Sequence, residues 1–375
     1  MKQCIRGKVY EGKLSKRLLQ DLPLRSIALL WHEDLDSVTT DILLEKEVKA
    51  VINRRSTMSG RYEHSEVTRL LDAGVAVFDV ESWYGSDESL KGDDIWVMNN
   101  QLYVFIDDTY QLLAELKNYD YNLIETLNER AQVCYPELLS SFIDNSLLHA
   151  KRDAETFSKP VELPSCFNQM NQRPVLIVAR NGQYKRDLLA MQRWLFLTNP
   201  LIIAVDGAAD GLLELGFTPD FIMGDMDSVS SVALGCGAEL ICHTYADGSS
   251  PGLDRLRVDG IDAHEISFIG TSEDVAVMAA HWSKAAHLYL IGCRLGIKEF
   301  LEKQRAGMGS TILSRMEVGD RITDLKGIHQ LFEAASLSSQ LKRVRFDLKT
   351  ELVELQELLG RGYRLLVKKG AVRHD

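Results

Sequence analysis

The sequence has few cysteines and no apolar segment of the kind that exports or anchors a protein. Its 375 residues include six cysteines, and none of them forms a Cys-x-x-Cys pair. This scarcity argues against a disulfide scaffold, and Cys236 and Cys242 lack the second pair that a structural zinc site needs. No charged start leads into an apolar signal segment, and the last forty residues contain no long uncharged apolar run. We therefore expect a cytoplasmic protein without a transmembrane segment.

The chain also lacks an excess of positive charge. Lysine and arginine number 43 against 54 aspartates and glutamates, which gives a formal net charge of -11 at pH 7. We expect no nucleic acid partner, because the phosphate backbone would repel such a chain. The length is sufficient for two or three domains with their own cores.

Short apolar runs alternate with helix-like segments between about residues 174 and 295, and each run ends in polar residues. This rhythm is typical of an α/β fold with a largely parallel, doubly wound sheet, whose strands are covered by helices on both faces. The predicted strands cover residues 175–179, 201–205, 221–224, 239–243, 266–269 and 288–291. Ligands of such sheets bind beyond the carboxyl ends of the strands.

Four aspartates follow the ends of predicted strands: Asp206, Asp225, Asp227 and Asp274. Asp225 and Asp227 project to the same side, because residues i and i+2 of an extended segment share a face. Hard carboxylate oxygens that converge from three strand ends suit Mg²⁺ together with a polyphosphate. We predict that these four aspartates bind magnesium and form the catalytic centre if the protein is an enzyme.

Polar residues near the same strand ends are candidates for contacts with the nucleotide. Arg180, Arg294 or Arg305 would neutralise the charge that develops on the phosphates. The full set of predicted nucleotide-binding residues is Arg180, Asn181, Gly207, Ser228, Thr271, Ser272, Arg294 and Arg305. Acids at such positions also cap helices and turns, and we prefer that role for Asp210 and Asp220.

These motifs carry a resemblance to a known enzyme family. Asp206-Gly-Ala-Ala, followed by Leu-Gly-x-x-Pro-Asp220 and Gly224-Asp-x-Asp-Ser228, resembles the catalytic domain of thiamine pyrophosphokinases, which transfer a pyrophosphoryl group from ATP to thiamine with magnesium. The resemblance implies that the acids of these blocks serve the metal and the nucleotide, with Asp274 in the last acidic position. The chain departs from the family because residues 201–228 contain no lysine and the later Gly-Gly-Arg-x-Asp-His block is reduced to Gly292-Cys-Arg294.

A second resemblance covers nearly the whole chain. Ile27-Ala-Leu-Leu-x-His32-x-Asp-Leu-Asp36, Val51-Ile-Asn53, Met58-Ser-Gly60-Arg-Tyr62, Gly270-Thr-Ser-Glu-Asp274 and Arg305-Ala-Gly-Met-Gly-Ser310 occur in the order found in the SteA family of bacterial cytokinetic ring proteins. The chain resembles this family, which implies a role in cell division or separation. It also implies partners in the division machinery and a position at the periphery of the division site.

The first part of the chain has its own α/β rhythm. We predict strands at 27–31, 50–53 and 76–80 and a helix at 35–45. Alternating runs on both sides of Asn99-Asn100 predict a hairpin that closes this domain. The Ser/Thr/Gly loop at 56–61 is either an anion cradle or an ordinary polar loop.

We divide the chain into four parts. Residues 1–106 are predicted as an N-terminal α/β domain and residues 107–173 as a helical segment with a linker, where Pro136 should separate two helices. Residues 174–325 are predicted as the thiamine pyrophosphokinase-like nucleotide-binding domain, and residues 326–375 as a helical tail. An amphipathic helix at 332–359 should dock on its own domain or mediate homo-oligomerisation or partner capture.

Two classes of function follow from these observations. The first is a Mg²⁺-dependent, ATP-binding or other nucleotide-binding protein of the SteA type, which acts in division without turnover. The second is a thiamine pyrophosphokinase-like enzyme that transfers pyrophosphate from ATP to thiamine or to another small hydroxyl acceptor. The missing lysine favours the first class.

Overall fold

The chain forms a mixed α/β structure with two sheets, one of which is entirely parallel. The computed structural model describes residues 4–12, 22–85, 90–106, 109–159, 161–244 and 249–333. Each sheet has seven strands. The predicted α/β class and the predicted parallel sheet are therefore confirmed.

The first sheet closes on itself in the order β1-β2-β3-β4-β7-β6-β5. Its parallel half consists of β1 (Cys4–Gly12), β2 (Ile27–Leu30), β3 (Ala50–Asn53) and β4 (Ala76–Trp83). Its antiparallel half consists of β5 (Asp94–Met98), β6 (Gln101–Ile106) and β7 (Thr109–Asn118). Two helices, α1 (Ser37–Glu45) and α2 (Glu66–Asp72), connect the parallel strands.

The local patterns of this first part are largely confirmed. The three predicted strands are β2, β3 and β4, and the helix predicted at 35–45 is α1, whose first turn is capped by the Asp36 carboxylate. The hairpin of β5 and β6 turns at Asn99 and Asn100, with φ of 52° and 60°. Positive φ at both central residues is typical of a type I′ turn, which matches the twist of paired strands.

Two predictions for residues 107–173 are wrong. Residues 109–118, predicted as helical, form β7, which pairs with β4 and β6. The two helices predicted around Pro136 are one helix, α3 (Tyr121–Phe157). Asp120 caps its first turn by accepting a hydrogen bond from the Leu123 N–H.

The second sheet has the order β12-β11-β10-β9-β8-β13-β14, with every pair parallel. All six predicted strands are present. The strands are β8 (Pro174–Val178), β9 (Leu201–Val205), β10 (Phe221–Gly224), β11 (Glu239–Thr244), β12 (His264–Ser267), β13 (His287–Ile291) and β14 (Ile322–Asp324). The strand order reverses between β8 and β13, which is the switch point where such sheets bind ligands.

Helices cover both faces of this sheet. They are α4 (Tyr184–Ala190), α5 (Gln192–Thr198), α6 (Ala208–Glu214), α7 (Ser231–Leu234), α8 (Pro251–Val258), α9 (Ser272–Trp282), α10 (Ile297–Leu301), α11 (Gly309–Val318) and α12 (His329–Glu333). In β8, Val175 and Ile177 pack into one core cluster, while Leu176 and Val178 pack into the other. This alternation explains why the sequence shows continuous apolar runs, since both faces of each strand are buried.

The predicted linker contains a 3-10 helix, and most of the predicted tail lies outside the described residues. Within residues 159–173, a 3-10 helix (Ser165–Met170) inserts Phe167 and Met170 into the core of the parallel sheet. Most of the helix predicted at 332–359 lies outside the described residues, which end at 333. Within the described ranges, none of the helices combines the length and apolar character that a bilayer-spanning helix requires.

Candidate functional site

A cavity of about 730 Å³ lies at the carboxyl edge of the parallel sheet, beside the switch point. The loops that follow β8, β9 and β10 form one wall, and α1 and α2 of the first sheet form the other. Four of the predicted nucleotide-binding residues line it, namely Arg180, Asn181, Gly207 and Ser228. The volume is within the range of small-molecule sites.

The cavity contains several cations, most of which have acidic partners. Lys185 contacts Glu214 at 2.6 Å, and Arg69 is paired with Asp41 and with Glu66. Arg180, in contrast, makes no hydrogen bond or ion pair with any residue in the part of the chain that the structure describes. Its guanidinium is half-buried and lies over Gly207, where a Cβ would approach its Cζ to 2.9 Å. An unpaired guanidinium in such a wall is suited to an anion.

Side-chain contacts hold the loop after β10 in place. The Ser228 hydroxyl accepts a hydrogen bond from the Gly207 N–H at 3.1 Å, which connects this loop to the loop after β9. Arg255 on α8 donates to the carbonyl oxygens of Met226 and Val229 at 3.0 and 3.2 Å. These contacts fix the backbone that carries Asp225 and Asp227.

Three of the four predicted magnesium ligands lie together at this edge. The Asp206 carboxylate accepts a hydrogen bond from the Met226 N–H at 3.3 Å, which places it beside the backbone between Asp225 and Asp227. Asp206 and Met226 have φ of 48° and 59°, an uncommon conformation for residues other than glycine. Such conformations cluster at functional sites.

Gly224 completes this arrangement. Its φ is 151°, and a Cβ there would lie 1.8 Å from the Asp206 Oδ1 atom. The Asp206 carboxylate can therefore lie against the β10 backbone only because position 224 has no side chain.

The fourth aspartate has a different environment. Asp274 is 3% exposed and lies at the start of α9, where it forms a capping box with Thr271. Its carboxylate accepts hydrogen bonds from one N–H and four hydroxyl groups, contributed by Thr271, Ser310, Thr311 and Ser314. Four of these hydrogen bonds reach Oδ2, and Oδ1 is 3.3 Å from the Ser314 hydroxyl.

The donor geometry fits a shared magnesium site only in part. All four aspartates lie in the described ranges, and no three of them bring carboxylate oxygens within 4.8 Å of one another. Magnesium on a polyphosphate usually takes one or two carboxylates and completes its shell with phosphate oxygens and water. Asp206, Asp225 and Asp227 lie next to the cavity-lining Gly207 and Ser228, whereas the Asp274 carboxylate accepts hydrogen bonds at the start of α9.

The other predicted nucleotide-binding residues do not line this cavity. Thr271 and Ser272 begin α9 beside Asp274. Arg294 forms an ion pair of 2.6 Å with the buried Glu273, whose pKa is raised by burial and lowered by Arg294, with a net upward shift. Arg305 lines a second cavity of about 410 Å³ between the two sheets.

The sequence did not reveal the wall contributed by the first sheet. Asp41 and Glu45 on α1 and Arg69 on α2 line the cavity, and Glu45 approaches Lys185 at 3.7 Å. The only local sign of this wall in the sequence is that Asp41 and Glu45 are four residues apart and therefore share a helix face. The loop at 56–61 hydrogen-bonds to a neighbouring loop of the same sheet, since Ser59 donates to the Asp34 carboxylate through its N–H and its hydroxyl.

Two comparisons with known proteins give no relative of this chain. A scan against protein-family models and a search of curated proteins both found no match to this chain. The functional conclusion therefore depends on the cavity, its unpaired arginine and the carboxylates beside it.

Proposed function

We propose that this protein binds a nucleotide, with ATP as the first candidate, in the 730 Å³ cavity at the carboxyl edge of its parallel sheet. The observation that carries the proposal is Arg180, a half-buried guanidinium without a described acceptor, in a wall formed by three loops that follow strands. An anionic phosphate would supply the missing acceptor. Gly207 allows close approach because a side chain there would collide with Arg180 and with the Ser228 carbonyl oxygen.

Magnesium would be held by Asp206, Asp225 and Asp227 and would neutralise the phosphates when bound. The chain's own contribution is to orient these carboxylates. Gly224 leaves room for the Asp206 carboxylate, and Arg255 holds the loop that carries the other two. Asp274 is assigned to the packing of α9 against α11.

The proposal extends to family and role. An all-parallel sheet with aspartates after neighbouring strands supports a thiamine pyrophosphokinase-like catalytic fold. The order of motifs along the chain supports the SteA type, with action in bacterial cell division at the cytoplasmic periphery of the division site and with division proteins as partners. In this role the nucleotide is a signal or a structural ligand.

Pyrophosphoryl transfer to thiamine or another hydroxyl compound is the second candidate. One observation favours it, because Lys185 lines the cavity and supplies the lysine that residues 201–228 lack. Its pairing with Glu214 and Glu45 argues for the binding role, since a phosphate would have to compete with both carboxylates.

Calorimetry with ATP, with and without Mg²⁺, tests the proposal. We expect Mg²⁺-dependent binding that Arg180→Ala weakens by about 10- to 100-fold, because hydrogen bonds to charged groups contribute about 1.5–3 kcal/mol. Arg193→Ala, which removes an exposed arginine of α5, is the matched control and should leave the affinity unchanged. Asp225→Asn combined with Asp227→Asn should remove the magnesium dependence.

The outcomes separate the candidates. Binding without release of AMP in the presence of thiamine supports a nucleotide-binding protein, whereas thiamine-dependent AMP release supports the enzyme. No binding of ATP, GTP or their diphosphates to the folded protein would contradict both.

A further inference from the structure

Three side chains with different donor atoms meet at the opposite edge of the parallel sheet. Glu239 is the first residue of β11, His264 is the first residue of β12, and Cys166 lies on the 3-10 helix Ser165–Met170. Both strands are parallel neighbours, so their amino ends lie together, away from the cavity at the carboxyl ends. This cluster is therefore separate from the proposed nucleotide site.

The donor atoms are close enough to share one ion. The Cys166 sulfur, a Glu239 carboxylate oxygen and a His264 ring nitrogen all lie within 4.8 Å of one another. The His264 Nε2 atom is 3.5 Å from the Glu239 Oε2 atom. Ligand atoms of a tetrahedral zinc site are about 3.5 Å apart, given zinc bonds of about 2.0–2.3 Å. The His264 and Glu239 ligand atoms already have that spacing.

We propose that Cys166, Glu239 and His264 form a Zn²⁺ site. A thiolate and an imidazole favour zinc over magnesium or calcium, which prefer oxygen ligands. Three protein ligands leave one coordination position for water or for an external ligand. Glu239 and His264 are exposed, so that position opens to solvent.

The backbone around the site is held rigidly, as a metal site requires. Phe167, next to Cys166, is 1% exposed and stacks on Phe221 of β10 with a ring-centroid distance of 5.4 Å. Met170 at the other end of the 3-10 helix is fully buried. A bound ion would join this helix, which precedes β8, to the amino ends of β11 and β12.

Zinc titration of the full chain tests the site. The chelator-treated, reduced protein would compete with a chromophoric chelator for Zn²⁺, and we expect a single equivalent to bind. Cys166→Ser and His264→Ala should each weaken the affinity at least about tenfold, since even residues that only orient metal ligands cost 10- to 100-fold. Cys236→Ser and His149→Ala remove a cysteine and a histidine elsewhere and should leave the affinity unchanged.

Cobalt substitution identifies the ligand directly. The Co²⁺-loaded protein should show a thiolate-to-cobalt charge-transfer band that Cys166→Ser abolishes and Cys236→Ser retains. Circular dichroism without metal checks that each variant is folded, which is expected because His264 is exposed and Cys166→Ser replaces a partly exposed thiol by a hydroxyl of similar size. Unchanged zinc affinity in folded Cys166→Ser and His264→Ala variants would overturn the proposal, as would zinc binding that only the control variants lose.

Discussion

At the scale of single residues, the position of the Asp206 carboxylate depends on a neighbour that has no side chain. Gly224 precedes Asp225, and its Cα hydrogen faces the Asp206 carboxylate, where a Cβ would lie 1.8 Å from Oδ1. The glycine therefore acts on the proposed magnesium site without contributing a ligand atom.

Gly224→Ala should weaken Mg²⁺-dependent nucleotide binding by about tenfold or more, because the alanine methyl group would displace a metal-binding carboxylate. Calorimetry at fixed Mg²⁺ measures the change. Gly216→Ala is the control, since Gly216 also has positive φ, at 80°, but a Cβ there would have no atom within 4 Å. Gly216→Ala should lose about 1–2 kcal/mol of stability from its left-handed backbone. Gly224→Ala should lose at least as much, because its methyl group also meets the Asp206 carboxylate, and only Gly224→Ala should lose affinity. Equal affinities in the two variants would contradict the assigned role of Gly224.

The residues of the cavity were predictable where they directly follow a strand. Arg180, Asn181, Gly207 and Ser228 follow β8, β9 and β10, so strand prediction alone placed them at the carboxyl edge. Asp274 follows β12 in the same way, yet Ser310, Thr311 and Ser314 of α11 surround its carboxylate. That environment comes from residues about forty positions away, which no local pattern can show.

At the scale of elements, periodicity failed where two periods coincide. Leu112 and Leu116 are four residues apart, a spacing that fits one face of a helix and equally one face of a regular strand. In the structure the pairing of β6 and β7 shifts register between Leu102 and Tyr103, so that Leu116 is buried while Leu112 is exposed. Pairing with β4 and β6 stabilises the strand β7 instead of a helix.

The glycines of the 305–310 motif have a packing role, because a Cβ at Gly309 would lie 2.8 Å from the Ala150 N atom of α3.

Helix α3 continues through Pro136, which is exposed. A proline inside a helix removes one backbone hydrogen bond and crowds the preceding turn. Pro136→Ala should therefore raise the free energy of unfolding, by up to about 3 kcal/mol, as measured by urea denaturation. Glu137→Ala, at the adjacent exposed position, should change it by less than about 0.5 kcal/mol. A loss of stability in Pro136→Ala would instead show that α3 needs the proline for its packing.

At the scale of the whole molecule, three ion pairs within the described ranges join the part around the first sheet to the part around the second: Lys303–Asp36, Lys298–Glu63 and Lys185–Glu45. Lys303, which follows α10, contacts the Asp36 carboxylate that caps α1, and Asp36 is nearly fully buried. Burial alone would raise the pKa of Asp36, but Lys303 and His32 outweigh it and lower the pKa to about 2. Lys298 contacts Glu63 at 3.3 Å, and both side chains are about half exposed.

The buried pair should contribute most of the electrostatic stability between the sheets. Lys303→Met leaves a buried carboxylate without its ammonium partner, which should cost about 3 kcal/mol at pH 7 by urea denaturation. Lys298→Met removes an exposed pair and should cost less than about 1 kcal/mol. Equal losses in the two variants would contradict this assignment.

The pH dependence gives a second measurement of the same pair. The pKa of Asp36 falls from an ordinary value of 3.8 to about 2 on folding, so its stabilising contribution is complete above about pH 4 and is lost as the pH falls toward 2. That contribution amounts to about 2 kcal/mol. The difference in unfolding free energy between the wild type and Lys303→Met should therefore shrink over this interval, because protonation neutralises the carboxylate in both proteins. A difference that stays constant from pH 7 to pH 2 would show that Lys303 acts through packing and not through its charge.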